Sequence, residues 1–174
     1  VQDTLPPGAA FVDYVRYTDL TKPGTSSLSY GAILILPEGG PKWIPLGTDK
    51  DLTIWLGVLK DRLQYRSYLL SSTGSASPPA LRMSSALHRL HDLFWDPVAA
   101  QFPEGTDTVG ISPDAGLNFI SFAVLLNDEG RFLAEKFQQL VYYASARDLL
   151  LRNERPSLQD GPWAVIAVPE FEEH

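Results

Sequence analysis

The stretch Val109 to Leu126, VGISPDAGLNFISFAVLL, limits the fold of this chain more than any other. A short apolar run, Val109-Gly110-Ile111, breaks at Ser112-Pro113-Asp114-Ala115-Gly116. There proline fixes one backbone angle and glycine admits a positive one, before apolar chain resumes at Leu117. That order predicts a buried strand, a tight turn and a second packed segment. Composition and spacing alone point to a soluble α/β domain and disclose no activity.

A chain of 174 residues can bury a real core as one domain, or as two small lobes sharing one core, and a single compact unit is expected. Hydrophobic residues at 44%, with four Trp, seven Tyr and eight Phe, are incompatible with a generally disordered chain. A formal charge of -7 argues against a surface that tracks nucleic-acid phosphates. The nearest basic group, Arg147, Arg152 and Arg155, is interrupted by Asp148 and Glu154 and reads as a solvated helix end. There is no cysteine, so this chain offers no disulfide, no thiolate nucleophile and no thiolate metal site. No apolar run has the length of a membrane helix, and no basic-then-apolar leader opens the chain. A cytoplasmic protein that engages neither membrane nor nucleic acid is the expectation.

Residues 1 to 8 are polar and end Leu5-Pro6-Pro7-Gly8, the composition of a linker from an upstream region. Phe11 to Tyr17 alternate as a strand, with Phe11, Asp13, Val15 and Tyr17 on one face and Val12, Tyr14 and Arg16 on the other. Thr18 to Ser29 reads as a Pro, Gly and Ser loop. Tyr30 to Leu36 and Pro41 to Leu46 read as a β-hairpin across the Gly39-Gly40 turn. Thr48 and Asp51, three apart, have the pattern of a capping box with the shorter acid. Leu52, Trp55, Leu56, Leu59 and Leu63 then recur at helical spacing. Trp55 could stack on a ligand, but a core aromatic on the packed stripe is the plainer reading.

Leu70 to Pro79 is a low-complexity spacer between two helices. The second helix carries Met83, Leu87, Leu90 and Phe94 on one face, with Trp95 beside them, and Pro97 and Pro103 are read as closing it. It also carries His88 and His91 one turn apart, near Asp92 and Asp96. The HxxH spacing lacks the glutamate of HExxH, so two surface or half-buried histidines are the expectation and no metal site is assigned. No G-x-S-x-G elbow supports a Ser-His-Asp triad, and no phosphate-binding glycine loop supports a nucleotide or small-molecule enzyme, so no cofactor is expected. Asn127 to Gly130 is a turn, and Phe132 and Leu133 begin a short segment. Lys136 to Tyr143 reads as a strand with Phe137, Leu140 and Val141 inward, and Ser145 or Ala146 opens a helix. Asn153 to Pro162 is a polar loop, and Trp163 to Val168 is an apolar β run. Alternating strands and helices predict helices packed on a mixed sheet.

Three groups of residues resemble the start of a CHAT domain: Tyr14-Val15-Arg16-Tyr17 after Leu5-Pro6-Pro7-Gly8, the hairpin Gly31 to Leu46, and the block Leu87-x-x-Leu90-x-x-Leu93-Phe94-Trp95-x-Pro97. So do Ile111-Ser112-Pro113-Asp114-x-Gly116-Leu117-Asn118, Phe122-Ala123-x-Leu125 and Ser145-Ala146-Arg147-Asp148-Leu149-Leu150. The most specific part is the ordered pair of the SPDxGLN turn and the SARDLL helix start. The resemblance covers nearly the whole chain. It implies a caspase-like cysteine peptidase related to separase, usually found behind TPR repeats and often in a bacterial defence or signalling setting.

Two departures stand out. Ser121 occupies the place where the family often has proline before the Phe-Ala-x-Leu element. The family's catalytic histidine, in a His-Gly context, and its catalytic cysteine follow a strand like Trp163 to Val168, whereas this chain reaches only His174. A polypeptide lacking both has neither the thiolate nor the proton shuttle of that reaction, so it is not expected to be active alone.

The resemblance therefore divides the chain into a linker at 1–8, an N-terminal pseudo-caspase-like lobe at 9–160, and the first strand of a missing catalytic lobe at 161–174. That strand would pair with partners outside this sequence. The implied fold is α/β, a caspase-like mixed sheet flanked by helices with an N-terminal β-hairpin region. The implied function is a supporting and regulating lobe. Its partners would be a catalytic CHAT lobe, on the same precursor or a second chain, an upstream TPR or other sensor domain, and a protein substrate. No catalytic, cofactor-binding or metal residue is assigned in this chain. Asp114, Asn118, Ser145 and Arg147 are read as turn or cap residues that could also meet the catalytic lobe. The alternative is a degenerate stand-alone interaction module without protease activity.

Overall fold

The computed structural model describes the backbone of residues 1–20, 27–69 and 78–152, and the side chains of 1–20, 27–61 and 83–150. Residues 21–26 of the loop read from Thr18, residues 70–77 of the spacer read from Leu70, the loop from Asn153, the β run Trp163 to Val168 and His174 lie outside the described residues, as does the side chain of Leu63; Pro78 and Pro79 of that spacer are helical.

Five strands form one mixed sheet in the order β3-β2-β1-β4-β5, built from β1 (Ala9–Asp19), β2 (Ser27–Ile35), β3 (Lys42–Thr48), β4 (Thr108–Ser112) and β5 (Gln139–Tyr142). The first three form an antiparallel meander, with Phe11 opposite Ile35 and Ala32 opposite Ile44. On the other side of β1, β4 runs parallel with Phe11 beside Gly110, and β5 continues parallel with Val109 beside Leu140. The two-residue period of β1 sends Val12 and Tyr14 to one face and Phe11 to the other, and all three are almost wholly buried. The α/β class and the β2–β3 hairpin match the sequence expectation, as does apolar content on both faces of β1. The ends of the segment read as a loop from Thr18 to Ser29 do not: Thr18 pairs with Leu28 and Asp19 with Ser27, so both strands run into it. Main-chain pairing within the ladder outweighs the polar composition there.

One face of the sheet is covered by α1 (Asp49–Leu69) and α2 (Pro78–Phe94). The start of α1 is the anticipated box. The Thr48 hydroxyl accepts from the Asp51 N–H at 3.1 Å, and the Asp51 carboxylate accepts from the Thr48 N–H at 3.1 Å and from the Thr48 hydroxyl at 2.6 Å. These bonds satisfy amide donors that a helix start otherwise leaves open. They also hold the Asp51 carboxyl below its ordinary pKa, the Thr48 side-chain bond contributing most and the backbone bond next. Leu52 is buried, and Trp55, Leu56 and Leu59 pack partly buried against the core, as the apolar stripe predicts.

On α2, Leu87, Leu90 and Phe94 enter the core, and Trp95 sits wholly buried among Phe102, Phe122 and Phe137 at ring separations of 5.8, 5.9 and 5.7 Å. The Tyr14 hydroxyl donates to the Phe94 carbonyl at 2.9 Å and anchors β1 to the end of α2. Pro97 does not end helical chain there but lies in the first turn of α3 (Asp96–Ala99), where its missing N–H leaves no bond unmade. After β4 the chain makes two 3₁₀ turns, Ala115–Phe119 and Phe122–Val124, which are the second packed segment. The predicted strand from Lys136 is confined to Gln139–Tyr142. Buried Phe137 precedes it, and α4 (Ala146–Arg152) follows. No helix of the described residues is long and apolar enough to cross a membrane.

Candidate functional site

In open α/β sheets, ligand and catalytic groups gather beyond the carboxyl ends of parallel strands, where neighbouring connections diverge. Here the chain leaves β1 toward β2 on one side, while β4 leads to β5 on the other. The crevice between the ends of β1 and β4 is therefore the place to look. Asp114, immediately beyond β4, bridges the two strands there: one carboxylate oxygen accepts the Arg16 backbone N–H of β1 at 2.8 Å. Asp114 stands at the N-cap position of the 3₁₀ turn, yet its side chain does not cap that turn. It ties the end of β4 to β1 instead.

A second bridge crosses the same end of the sheet. Tyr30, on β2, has its ring fully buried against Phe94, and its hydroxyl donates to Asp49 at 3.1 Å while accepting the Gly116 N–H at 3.2 Å. Burial raises the Tyr30 pKa more than any other influence, the Gly116 N–H lowers it, and the Asp49 carboxylate raises it further. Asp49 also faces Arg16 at 3.5 Å, a largely exposed pair. The tight approach needs glycine at 116, because a Cβ there would stand 2.8 Å from Leu52 Cδ2. Beside it Ala115 holds φ at 46°, a left-handed conformation that non-glycine residues rarely adopt.

Sequence reasoning picked out Asp114 in this network but missed Arg16, Tyr30 and Asp49. The available signal was a tyrosine inside the apolar run YGAILIL, whose buried hydroxyl requires a partner. Asn118 stays local, donating to the Ala115 carbonyl at 3.1 Å. Ser145 and Arg147 lie beyond β5 and are exposed. The Ser145 carbonyl accepts the Asp148 N–H at 3.0 Å, but neither the Ser145 nor the Arg147 side chain bonds to a described residue. All four positions thus lie past the carboxyl ends of β4 and β5. Of the four, only Asp114 joins separate elements through its side chain.

Both histidines are expected at the surface or half-buried, and His91 departs from that. His91 is buried, its Nδ1 lacks a hydrogen-bond partner, and Asp92 Oδ1 is 3.7 Å away. His88 is half-buried. Among the described residues no cluster of three or more His, Asp or Glu is placed to hold a metal ion.

The polar groups at the carboxyl edge are therefore arranged to bond one another. A match to the CHAT domain family model spans residues 84–174, just over half of the chain. The chain belongs to the CHAT family. These are caspase-like peptidases, which agrees with the mixed sheet and flanking helices. The CHAT match starts within α2 and takes in the SPDxGLN turn and the SARDLL helix start, while β1 to β3 and α1 precede it. No curated protein matches the sequence.

Proposed function

We propose that this chain is the non-catalytic lobe of a CHAT-type cysteine endopeptidase, supporting and regulating a catalytic His/Cys lobe that acts on protein substrates. The observation that carries this reading is the self-bonded carboxyl edge. Where a sheet of this kind holds reacting groups, Asp114 is bonded to the Arg16 N–H and the Tyr30 hydroxyl to Asp49 and the Gly116 N–H. Acyl transfer by this family's chemistry needs a thiolate and an imidazole to move its proton. The sequence has no cysteine, and neither His88 nor His91 is followed by glycine. A lobe whose polar edge is tied down can present a fixed surface to a catalytic partner without competing for substrate. Exposed Ser145 and Arg147, beyond β5, are the positions open to such contact. An upstream TPR or other sensor domain, a defence or signalling role and a cytoplasmic setting belong to the same proposal.

The test is intact-mass and peptide-mapping analysis of the protein purified natively from its source. A copurifying or covalently continuous polypeptide that carries the His-Gly and Cys elements supports the proposal. This chain alone, soluble and monodisperse, overturns it and leaves the stand-alone interaction module.

A further inference from the structure

On the helix-covered side of the molecule, α1 and α2 and the segment 119–132 line a groove of about 610 Å³. Ligand pockets typically span about 300–1,000 Å³ with mostly apolar walls and a few polar groups that fix orientation. This groove has that make-up. Leu56 and Leu59 come from α1, Met83 and Leu87 from α2, and Ile120 and Val124 from the facing turns. Phe119 and Phe132 form its lip and are 73% and 45% exposed, an apolar surface that soluble proteins seldom leave bare without use.

Lys60 is the sole charged side chain among the described residues that line the groove. Its Nζ is held over the Phe119 ring at 5.3 Å from the centroid, and no described carboxylate lies within ion-pair distance of it. Among the described residues, one cation at the mouth of an otherwise apolar groove complements a ligand with one negative head and an apolar body. We propose that this groove binds the monomeric anion of a medium- or long-chain fatty acid. Its carboxylate meets Lys60 Nζ beside the Phe119 ring, and its alkyl chain lies along Leu56, Leu59, Leu87 and Val124. This site is independent of the peptidase-lobe reading.

The probe is laurate, titrated calorimetrically below its micelle concentration, against dodecyltrimethylammonium, which has the same chain length and the opposite head charge. The site predicts saturable binding of one laurate per chain, at least tenfold tighter than the cationic amphiphile. Because each buried methylene contributes about fourfold in affinity, decanoate should bind roughly 15-fold more weakly than laurate. Lys60 is exposed, so Lys60→Glu leaves the core untouched and should reverse the head-group preference. Absence of saturable laurate binding overturns the proposal. So does equal affinity for the two head groups, or a preference that Lys60→Glu does not change.

Discussion

Removing either half of the Thr48–Asp51 box isolates what a helix start contributes to this fold. Thr48→Ala deletes the hydroxyl that accepts the Asp51 N–H and donates to the Asp51 carboxylate, and Asp51→Ala deletes the acceptor of the Thr48 N–H. Loss of an N-cap typically costs about 0.5–2 kcal/mol, and about 1 kcal/mol moves the midpoint of a domain this long by roughly 2–4 °C. The two side chains bond each other, so the double variant should cost less than the sum of the singles, with a coupling of about 0.5–1 kcal/mol.

The charge contributes separately. Asp51 has its carboxyl pKa lowered in the folded state, mainly by the Thr48 bonds. Its stabilisation is therefore present above the unfolded aspartate value of about 3.9 and is lost as pH falls through the lower folded value. Asp51→Asn keeps an acceptor oxygen but has no charge to lose. The gap between wild type and this variant should be open at pH 7 and should narrow progressively below about pH 4. Urea unfolding followed by circular dichroism across pH 2.5–7 measures both effects. Strictly additive single substitutions, or a gap independent of pH, would refute the reasoning.

Other consequences are as direct. Tyr30→Phe leaves Asp49 and the Gly116 N–H without their shared partner and should destabilise by about 1–3 kcal/mol in the same unfolding assay. Tyr14 has its pKa raised well above the ordinary value, chiefly by burial, and should stay un-ionised in the folded state, while burial also raises Tyr30. Their folded pKa values exceed the unfolded value of about 10, so stability should fall as pH rises past it. Phenolate absorbance from Tyr14 should therefore appear only together with alkaline unfolding, and its appearance in the folded protein would contradict that placement. Gly110→Ala would place a methyl 2.7 Å from Phe11 Cδ2, inside a wholly buried contact, and should cost about 1–3 kcal/mol. Ala115→Gly should stabilise by about 0.5–1 kcal/mol, because glycine accepts the left-handed backbone that alanine strains to hold.

What the sequence disclosed follows the reach of each interaction. The Thr48–Asp51 box is complete within four residues, and the apolar stripes of α1 and α2 and the run before Ser112 carry their own periodicity, so all were legible. The carboxyl-edge network was not, since Arg16 and Asp114 are 98 positions apart and Tyr30 and Gly116 are 86 apart. No local pattern pairs such residues. Thr18, Asp19, Ser27 and Leu28 read as loop because their composition is that of a loop, and only the β1–β2 ladder makes them strand. Pro97 read as a stop because proline ends helices more visibly than it begins them. The exposed lip of Phe119 and Phe132 was hidden for the opposite reason: each residue alone looks like core, and only the packing leaves both uncovered.

The most direct test of the lobe assignment is hydrolysis of a labelled, unfolded protein such as fluorescein-casein by the purified chain. It should be run alone and after mixing with a polypeptide that carries the family's His-Gly and Cys elements, with and without iodoacetamide. The account predicts no cleavage by the chain alone, stable association on mixing, and cleavage by the mixture that iodoacetamide abolishes. Cleavage by this cysteine-free chain on its own, or failure of the two polypeptides to associate, would contradict it.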